Sequence, residues 1–217
     1  SCAQIWEKNA DVEGLILLKH GIFTFGEDAR ESYSRMIGLV TIAEKFLSCS
    51  KRAKSLISSR PAGHLAKVEA IAPILRGAVA DASADDWRRM VLEFRNTPHV
   101  MNYVNGHEVS RYATTGPVTP DHVIRTKPKP LIIATPKENE LKTFSLAARS
   151  AVQKYKADYV RYFNRNNRKC EPPKIMLDPL PRVILMPGLG LFGLGKSAKD
   201  ASIAADLAET TARVITA

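Results

Sequence analysis

The stretch RVILMPGLGLFGLGKS, residues 182–197, carries the most distinctive local pattern in the chain. RVILMP is a short apolar run typical of a buried strand, and the glycines that follow it predict a turn over GLGLFGLG. The alanine-rich segment from Lys196 to Thr216 then predicts a helix. A strand, a glycine turn and a helix in this order are typical of phosphate-binding units in α/β proteins.

The glycine spacing satisfies two phosphate-binding patterns at once. Read from Gly190 it matches a P-loop, and read from Gly188 it matches a dinucleotide fingerprint. Both patterns need an acidic residue at the end of a further strand, and residues 198–217 offer no such strand. We therefore favour a structural tight turn that can also pick up a sulfate or phosphate. The candidate anion-binding residues are Gly190, Gly193, Gly195, Lys196 and Ser197.

Near the start of the chain, the pattern predicts two strands around a tight turn, followed by a helix. VEGLILLK (residues 12–19) and IFTFG (residues 22–26) are apolar runs separated by His20 and Gly21. A helix is predicted from about Glu27 to Leu47, with apolar residues every three or four positions. This spacing predicts that one face of the helix is buried.

The middle of the chain contains weaker signals. A helical region is predicted over Gly63–Val79, interrupted by Pro73, and another helix over Ser83–Phe94, which ends before Pro98. The segment HVMNYV, residues 99–104, is predicted to be a strand.

A proline-rich segment follows, and we place a module boundary within it. TTGPVTPDHVIRTKPKP, residues 114–130, has four prolines and little periodicity, so the boundary is predicted near Gly116–Pro120. The predicted domains are therefore residues 1–118 and residues 119–217.

After this boundary, strands again alternate with helices. Leu131–Ala134 is a predicted strand, and the sequence from Thr135 predicts a capped helix running to about Asn164. The predicted fold class is therefore α/β, a layered sheet with flanking helices plus a smaller α/β extension.

The net charge of +10 is concentrated in one part of the chain. Residues 119–170 hold 12 Lys/Arg against 4 Asp/Glu, and much of this charge lies along the predicted long helix. A basic helix face is usually a solvated face, and Tyr155, Tyr159 and Phe163 step by four as a buried stripe does. We therefore predict no nucleic-acid partner.

No segment of the sequence predicts a membrane helix or a signal peptide. Uninterrupted apolar runs stay below the roughly 18 residues that a membrane span needs. The cysteines Cys2, Cys49 and Cys170 show no CxxC spacing, so we interpret them as reduced thiols. A soluble, cytoplasmic protein without a membrane partner is the expectation.

Four segments together resemble a known family. LILLKHGIFTFGEDARESYSRMIGLVTIAEKF (residues 15–46) resembles the C-terminal part of class II aldolase/adducin domains. The likeness continues through FRNTPHVMNY, GPVTPDHVIRTK and PGLGLFGLGKSAKDASIAAD. This longer set is similar to bacterial bifunctional proteins that join a rhamnulose-1-phosphate-type aldolase to a short-chain dehydrogenase.

The resemblance implies a role for His20. It assigns this side chain as the third histidine ligand of a catalytic Zn²⁺, with Gly21 letting the chain pass close to the site. The family's His-x-His pair and catalytic glutamate are not among the 217 residues, nor is an NAD-binding dehydrogenase domain. We therefore expect a fragment that is inactive alone, from a homo-oligomeric enzyme cleaving a sugar phosphate to dihydroxyacetone phosphate and lactaldehyde.

Two other interpretations stay open. The chain can be a non-catalytic interaction module, as in adducin-like relatives that lack the metal site, or a P-loop nucleotide-binding protein. The first is favoured over the enzyme if the parent protein lacks the upstream histidines and glutamate.

The remaining histidines do not have the spacing of a metal site. His64, His99 and His107 are interpreted as surface or hydrogen-bonded residues. In DHVIRTK, residues 121–127, three basic side chains can meet a substrate phosphate, although loop solvation is the favoured interpretation. The candidate substrate- and phosphate-binding residues are therefore His122, Arg125 and Lys127, together with Gly21 beside His20.

Overall fold

A computed structural model describes residues 2–9, 11–18, 20–49, 63–83 and 86–216. The chain divides into two compact units, Ser1–Ser55 and Leu56–Ala217. The predicted α/β class is confirmed, because helices accompany strands in both units. Residues 116–120 lie inside the second unit, so the predicted boundary does not coincide with this division.

The first unit contains the hairpin and the following helix that the strand, turn, strand and helix pattern predicts, together with a helix over Cys2–Lys8 that the pattern does not predict. Strands β1 and β2 pair antiparallel, from Gly14 opposite Thr24 to Leu17 opposite Gly21. Asp28 begins the second helix, because its carboxylate accepts the backbone N–H of Glu31 at 2.7 Å. The elements are α1 (Cys2–Lys8), β1 (Gly14–Leu17), β2 (Gly21–Thr24) and α2 (Ala29–Cys49).

The prediction that α2 buries one face is wrong. No residue of this helix is buried, and Tyr33 and Leu47 of its apolar positions are 67% and 70% exposed. A unit built on one two-stranded hairpin has too little apolar surface to cover a helix of 21 residues. The apolar face of α2 is therefore only partly covered within its unit.

The second unit contains a four-stranded sheet in the order β5-β8-β7-β6. The β5–β8 and β8–β7 pairs are antiparallel, and the β7–β6 pair is parallel. A separate two-stranded hairpin pairs β3 with β4. The strands are β3 (Asp81–Ser83), β4 (Asp86–Arg88), β5 (Val91–Arg95), β6 (Leu131–Ile132), β7 (Val183–Met186) and β8 (Gly190–Gly195).

Helices cover both faces of this sheet. They are α3 (Val68–Ala78), α4 (Pro98–Val104), α5 (Val109–Tyr112), α6 (Val123–Thr126), α7 (Leu141–Asn167) and α8 (Ala198–Thr216), with short 3₁₀ turns at Pro120–His122 and Glu138–Glu140. No helix among the described residues has the length and apolarity to cross a membrane.

Side chains of β7 point alternately to the two faces of the sheet, and each face packs in a separate hydrophobic cluster. Ile184 and Met186 are buried in one cluster, which also includes Leu75 of α3 and Val152 of α7. Val183 and Leu185 are buried in the other, with residues of α4 and α8. Because successive side chains of a strand point to opposite faces, a strand buried on both faces appears in the sequence as a continuous apolar run.

Two element predictions in the middle of the chain are wrong. Ser83–Phe94 is not a helix, since its described residues contribute to β3, β4 and β5. Its helix-like apolar spacing is short, and pairing of β5 with β8 determines the conformation instead. Residues 99–104 are helical rather than extended, because Pro98 stands at the first turn of α4.

The start of α7 is displaced from the predicted cap. The Thr135 hydroxyl donates to the carbonyl of Pro187 at 2.6 Å, so it ties this loop to the β7–β8 turn. The capping contact is instead made by Glu140, whose carboxylate accepts the backbone N–H of Lys137 at 2.9 Å. The helix then runs to Asn167, three residues beyond the predicted end.

Candidate functional site

His20 lies in the turn between β1 and β2 and is exposed to solvent. Its backbone N–H donates to the carbonyl of Leu17 at 2.9 Å, and its Nδ1 lies 3.2 Å from the carbonyl oxygen of Leu18. The following residue, Gly21, has a φ of +125°, a conformation that side-chain-bearing residues rarely adopt. His20 therefore lies in the turn at the end of β1, with its ring beside the Leu18 carbonyl.

The described residues do not by themselves fit a zinc site. Among them, no group of three or more His, Cys, Asp or Glu side chains comes together in a way that could hold a metal ion. A catalytic zinc site needs three protein ligands. His20 is thus one potential ligand without described companions.

The three basic residues of DHVIRTK have different surroundings. Arg125 is exposed and lies 3.4 Å from the carboxylate of Asp200 at the start of α8. Lys127 is buried, with 2% of its surface exposed. His122 is half-buried, and its Nδ1 is buried without a hydrogen-bond partner among the described residues. The two cations have different partners, so the candidate phosphate-binding residues do not form one cluster. The favoured interpretation of loop solvation is wrong for Lys127, which is buried.

Lys127 belongs to a buried polar cluster before β7. Its Nζ donates to the carbonyl of Asp178 at 2.6 Å and lies 3.9 Å from the ring centroid of Tyr159. Burial, together with the nearby charge of Arg182, lowers the pKa of Lys127 to about 8, while Asp178 partly opposes the shift. The backbone of Lys127 has a φ of +64°.

Asp178 and Arg182 form the ionic centre of this cluster. Their side chains are paired in a two-pronged contact and are only 8% and 13% exposed. Burial alone would raise the pKa of Asp178, but the hydrogen bond and charge of Arg182, together with Lys127, hold it below its ordinary value. No local sequence pattern indicates this cluster, because its members are separated by up to 55 positions and follow no motif.

The predicted glycine turn over GLGLFGLG is wrong, since Gly190–Gly195 is strand β8 and every residue of it is buried. The turn itself is at residues 187–189. A Cβ on Gly193 would lie 2.4 Å from the carbonyl oxygen of Ala201, and one on Gly195 would lie 2.3 Å from the nitrogen of Ala201. These two glycines therefore let α8 pack directly on the sheet.

The remaining candidate anion-binding residues stand at the start of α8. The Ser197 hydroxyl accepts the backbone N–H of Asp200 at 3.1 Å and donates to its carboxylate at 2.9 Å. This is an N-terminal capping contact. Lys196 is exposed beside it. Sheet pairing, helix packing and helix capping account for the positions of these candidate residues. The geometry gives no support to an anion site.

Residues 66–217 match the family model described as "Aldolase class II, second domain". The chain therefore belongs to this family, which confirms the class II aldolase assignment made from the quoted motifs. The matched residues lie in the second unit, whereas His20 lies in the first.

A curated relative is similar over most of the chain. The "Uncharacterized oxidoreductase YuxG" of Bacillus subtilis (strain 168) is 28% identical over 199 residues, which is 87% of this chain and 27% of the relative. The chain thus spans little more than a quarter of that protein. No solved structure matches.

Proposed function

We propose that the chain is part of a metal-dependent sugar-phosphate aldolase of the rhamnulose-1-phosphate type, in a protein that also has an NAD-dependent short-chain dehydrogenase domain. The observation that carries the proposal is the match of residues 66–217 to the class II aldolase second domain. The substrate class and the zinc come from the resemblance of the quoted motifs.

His20 is the residue through which this chain would contribute to the site. Zinc in such an enzyme stabilises the negative charge that develops when the carbon–carbon bond breaks. The contact between Nδ1 and the Leu18 carbonyl favours the tautomer with its proton on Nδ1. This tautomer leaves the Nε2 lone pair available as a ligand, and the exposed turn leaves room for companion ligands.

The dehydrogenase half of the proposal rests on chemistry and on the relative's name. Aldol cleavage releases an aldehyde, which an NAD-dependent dehydrogenase can oxidise. The similar Bacillus protein is described as an oxidoreductase, and about three quarters of its length lies outside the match. A protein of that organisation would consume the aldehyde that its aldolase part produces.

The test uses the protein encoded by the complete reading frame, with rhamnulose 1-phosphate as substrate. We expect dihydroxyacetone phosphate release and bound zinc, and we expect His20→Ala to lower kcat/KM by about 100-fold or more. His107→Ala is the matched control, because this histidine is also exposed and has no assigned role in the site. Equal activity of the two variants would contradict the metal-ligand role.

Two further measurements separate the parts of the proposal. Lactaldehyde and NAD should give NADH with the complete protein even when His20 is replaced, because oxidation belongs to the other domain. The 217-residue chain alone should neither retain stoichiometric zinc nor cleave the substrate. Turnover by this chain with bound zinc would refute the incomplete-site argument, and absence of the aldol reaction in the complete protein would refute the aldolase.

A further inference from the structure

A second candidate site lies in the other unit, between α7 and the edge strand β6. It is a groove of about 690 Å³, walled by one side of α7, by β6 and by the loop at residues 128–130. This volume is within the range of small-molecule binding sites. The groove is independent of His20 and of the proposed aldol reaction.

Four cations and one carboxylate line this groove. Lys154, Arg161 and Arg165 stand at spacings of seven and four on α7, so they share one side of the helix over about 16 Å. Arg161 is paired with the carboxylate, Asp158. Lys154, Arg165 and Lys129 have no ion-pair partner in the described part of the chain, and this uncompensated charge favours an anionic ligand.

The groove also has an aromatic and apolar floor. Tyr159 and Tyr162 pack with ring centroids 6.1 Å apart at 33°, and Leu131 and Ile132 of β6 lie beside them. Aromatic side chains next to unpaired cations suit a ligand that has both a planar ring and an anionic group. Tyr162 is the less buried of the two tyrosines and offers the ring surface.

The walls of the groove are held in place before any ligand binds. The Tyr155 hydroxyl donates to the carbonyl of Lys129 at 2.8 Å, which ties the loop to α7. Tyr159 is held from the other direction by the ammonium group of Lys127 at 3.9 Å from its ring centroid. Such preorganisation lowers the entropic cost of binding.

An added peptide strand is a poor fit for this edge. Although β6 is the terminal strand of the sheet, it has only two residues. Pro128 and Pro130 precede it, and proline offers no N–H to a neighbouring strand. The groove therefore favours a compact ligand over an extended peptide.

We propose that this groove binds a nucleoside phosphate, with its phosphates at the cations of α7 and Lys129 and its base against Tyr162. Four features of the groove support this ligand class: its unpaired cations, its aromatic floor, its volume and its tethered walls. It differs from the glycine segment at residues 188–197, where the geometry lends no support to an anion site.

The test is isothermal titration calorimetry of the 217-residue chain with ADP. We expect saturable binding with one site, and we expect Lys154→Gln and Arg165→Gln each to weaken it by about tenfold, because each removes a charge-assisted contact. Lys142→Gln is the matched control, since this exposed lysine is on the same helix but outside the groove. Tyr162→Ala should weaken ADP binding while leaving the fold intact by circular dichroism.

Ligand comparison gives the second readout. Adenosine and ribose 5-phosphate should each bind at least tenfold more weakly than ADP, because each lacks one half of the recognised chemistry. Absence of saturation at about 1 mM ADP would overturn the proposal. So would an equal effect of Lys142→Gln, equal binding of ADP and inorganic phosphate, or tighter binding of a poly-glutamate peptide than of ADP.

Discussion

The hairpins β1–β2 and β7–β8 have similar sequences but opposite environments. Each has apolar strands and a second strand that begins with a positive-φ glycine, Gly21 at +125° and Gly190 at +144°. No described residue of β1 or β2 is buried, whereas every residue of β7 and β8 is buried. One hairpin presents a histidine to solvent, and the other is the centre of a two-sided core.

Similar apolar hairpins are therefore exposed or buried according to which elements pack against them. A Cβ on Gly21 would meet nothing within 4 Å, so this glycine serves the backbone conformation alone. A Cβ on Gly190 would lie 2.4 Å from the carbonyl oxygen of Arg95, so this glycine also permits close packing. Four experiments, by substitution or by titration, test this difference between the exposed and the buried regions.

The largest expected effect is at Phe192 in β8. This side chain is 1% exposed and packs against Phe94 with ring centroids 5.1 Å apart. Phe192→Ala should lower the free energy of unfolding by about 3–5 kcal/mol, measured by urea denaturation. Phe23→Ala in β2 is the counterpart, and it should cost about 1 kcal/mol or less, because Phe23 is 57% exposed. Equal costs would remove the contrast between the hairpins.

The second largest loss in the free energy of unfolding is expected at the two glycines with positive φ. Gly190→Ala combines backbone strain with overlap on the Arg95 carbonyl and should cost about 3 kcal/mol. Gly21→Ala introduces backbone strain without any overlap, and it should lower the free energy of unfolding by about 1 kcal/mol. Hydrogen exchange of each hairpin's amides measures the local loss. A larger loss at Gly21 than at Gly190 would contradict the packing argument.

Helix packing on β8 should give a smaller effect. Gly193→Ala would force α8 away from the sheet and should cost about 1–3 kcal/mol in urea denaturation. Gly77→Ala is the matched control in the same unit, because a Cβ there meets nothing within 4 Å. That helical substitution should instead stabilise the protein by about 0.5–1 kcal/mol. If Gly193→Ala is neutral, the strand does not need its glycine for packing.

The buried cluster before β7 predicts a modest pH dependence. The folded chain releases the Lys127 proton near pH 8, whereas the unfolded chain holds it until about pH 10.5. The unfolded state therefore binds more protons within this window, and the free energy of unfolding should rise with pH by up to about 1.4 kcal/mol per unit. Above pH 10 the raised pKa of the partly buried Tyr155 acts in the opposite direction.

Urea denaturation at pH 7.5, 8.5 and 9.5 measures this dependence. Lys127→Met removes the titrating group and should abolish the rise, while Lys142→Met, at an exposed position of α7, should leave it intact. A rise that persists in Lys127→Met would assign the titration to another group.

Much of the fold could be predicted from local sequence patterns. The apolar run of β7, the alanine-rich α8, the hairpin around His20 and the long α7 all follow from periodicity and capping. The motifs also identified the aldolase family. These predictions succeeded because each pattern spans one whole element and needs no partner to be recognised.

The failures occurred where a partner decides the conformation. Val91–Arg95 has helix-like spacing but pairs with β8. The glycines of β8 are in a strand because β8 pairs with both β5 and β7, and their missing side chains let α8 pack closely. Burial of Lys127 was equally hidden, since Asp178 is 51 positions away. Local spacing contains no information on these long-range contacts.

The α/β class, the family, the turn that carries His20 and the concentration of positive charge on α7 can all be read from the amino-acid sequence. The central position of β8, the burial of Lys127 and the groove beside β6 with its unpaired cations depend on tertiary contacts. This division arises because backbone periodicity is a local property. Burial, ion pairing and groove formation arise when segments distant in sequence exclude water together.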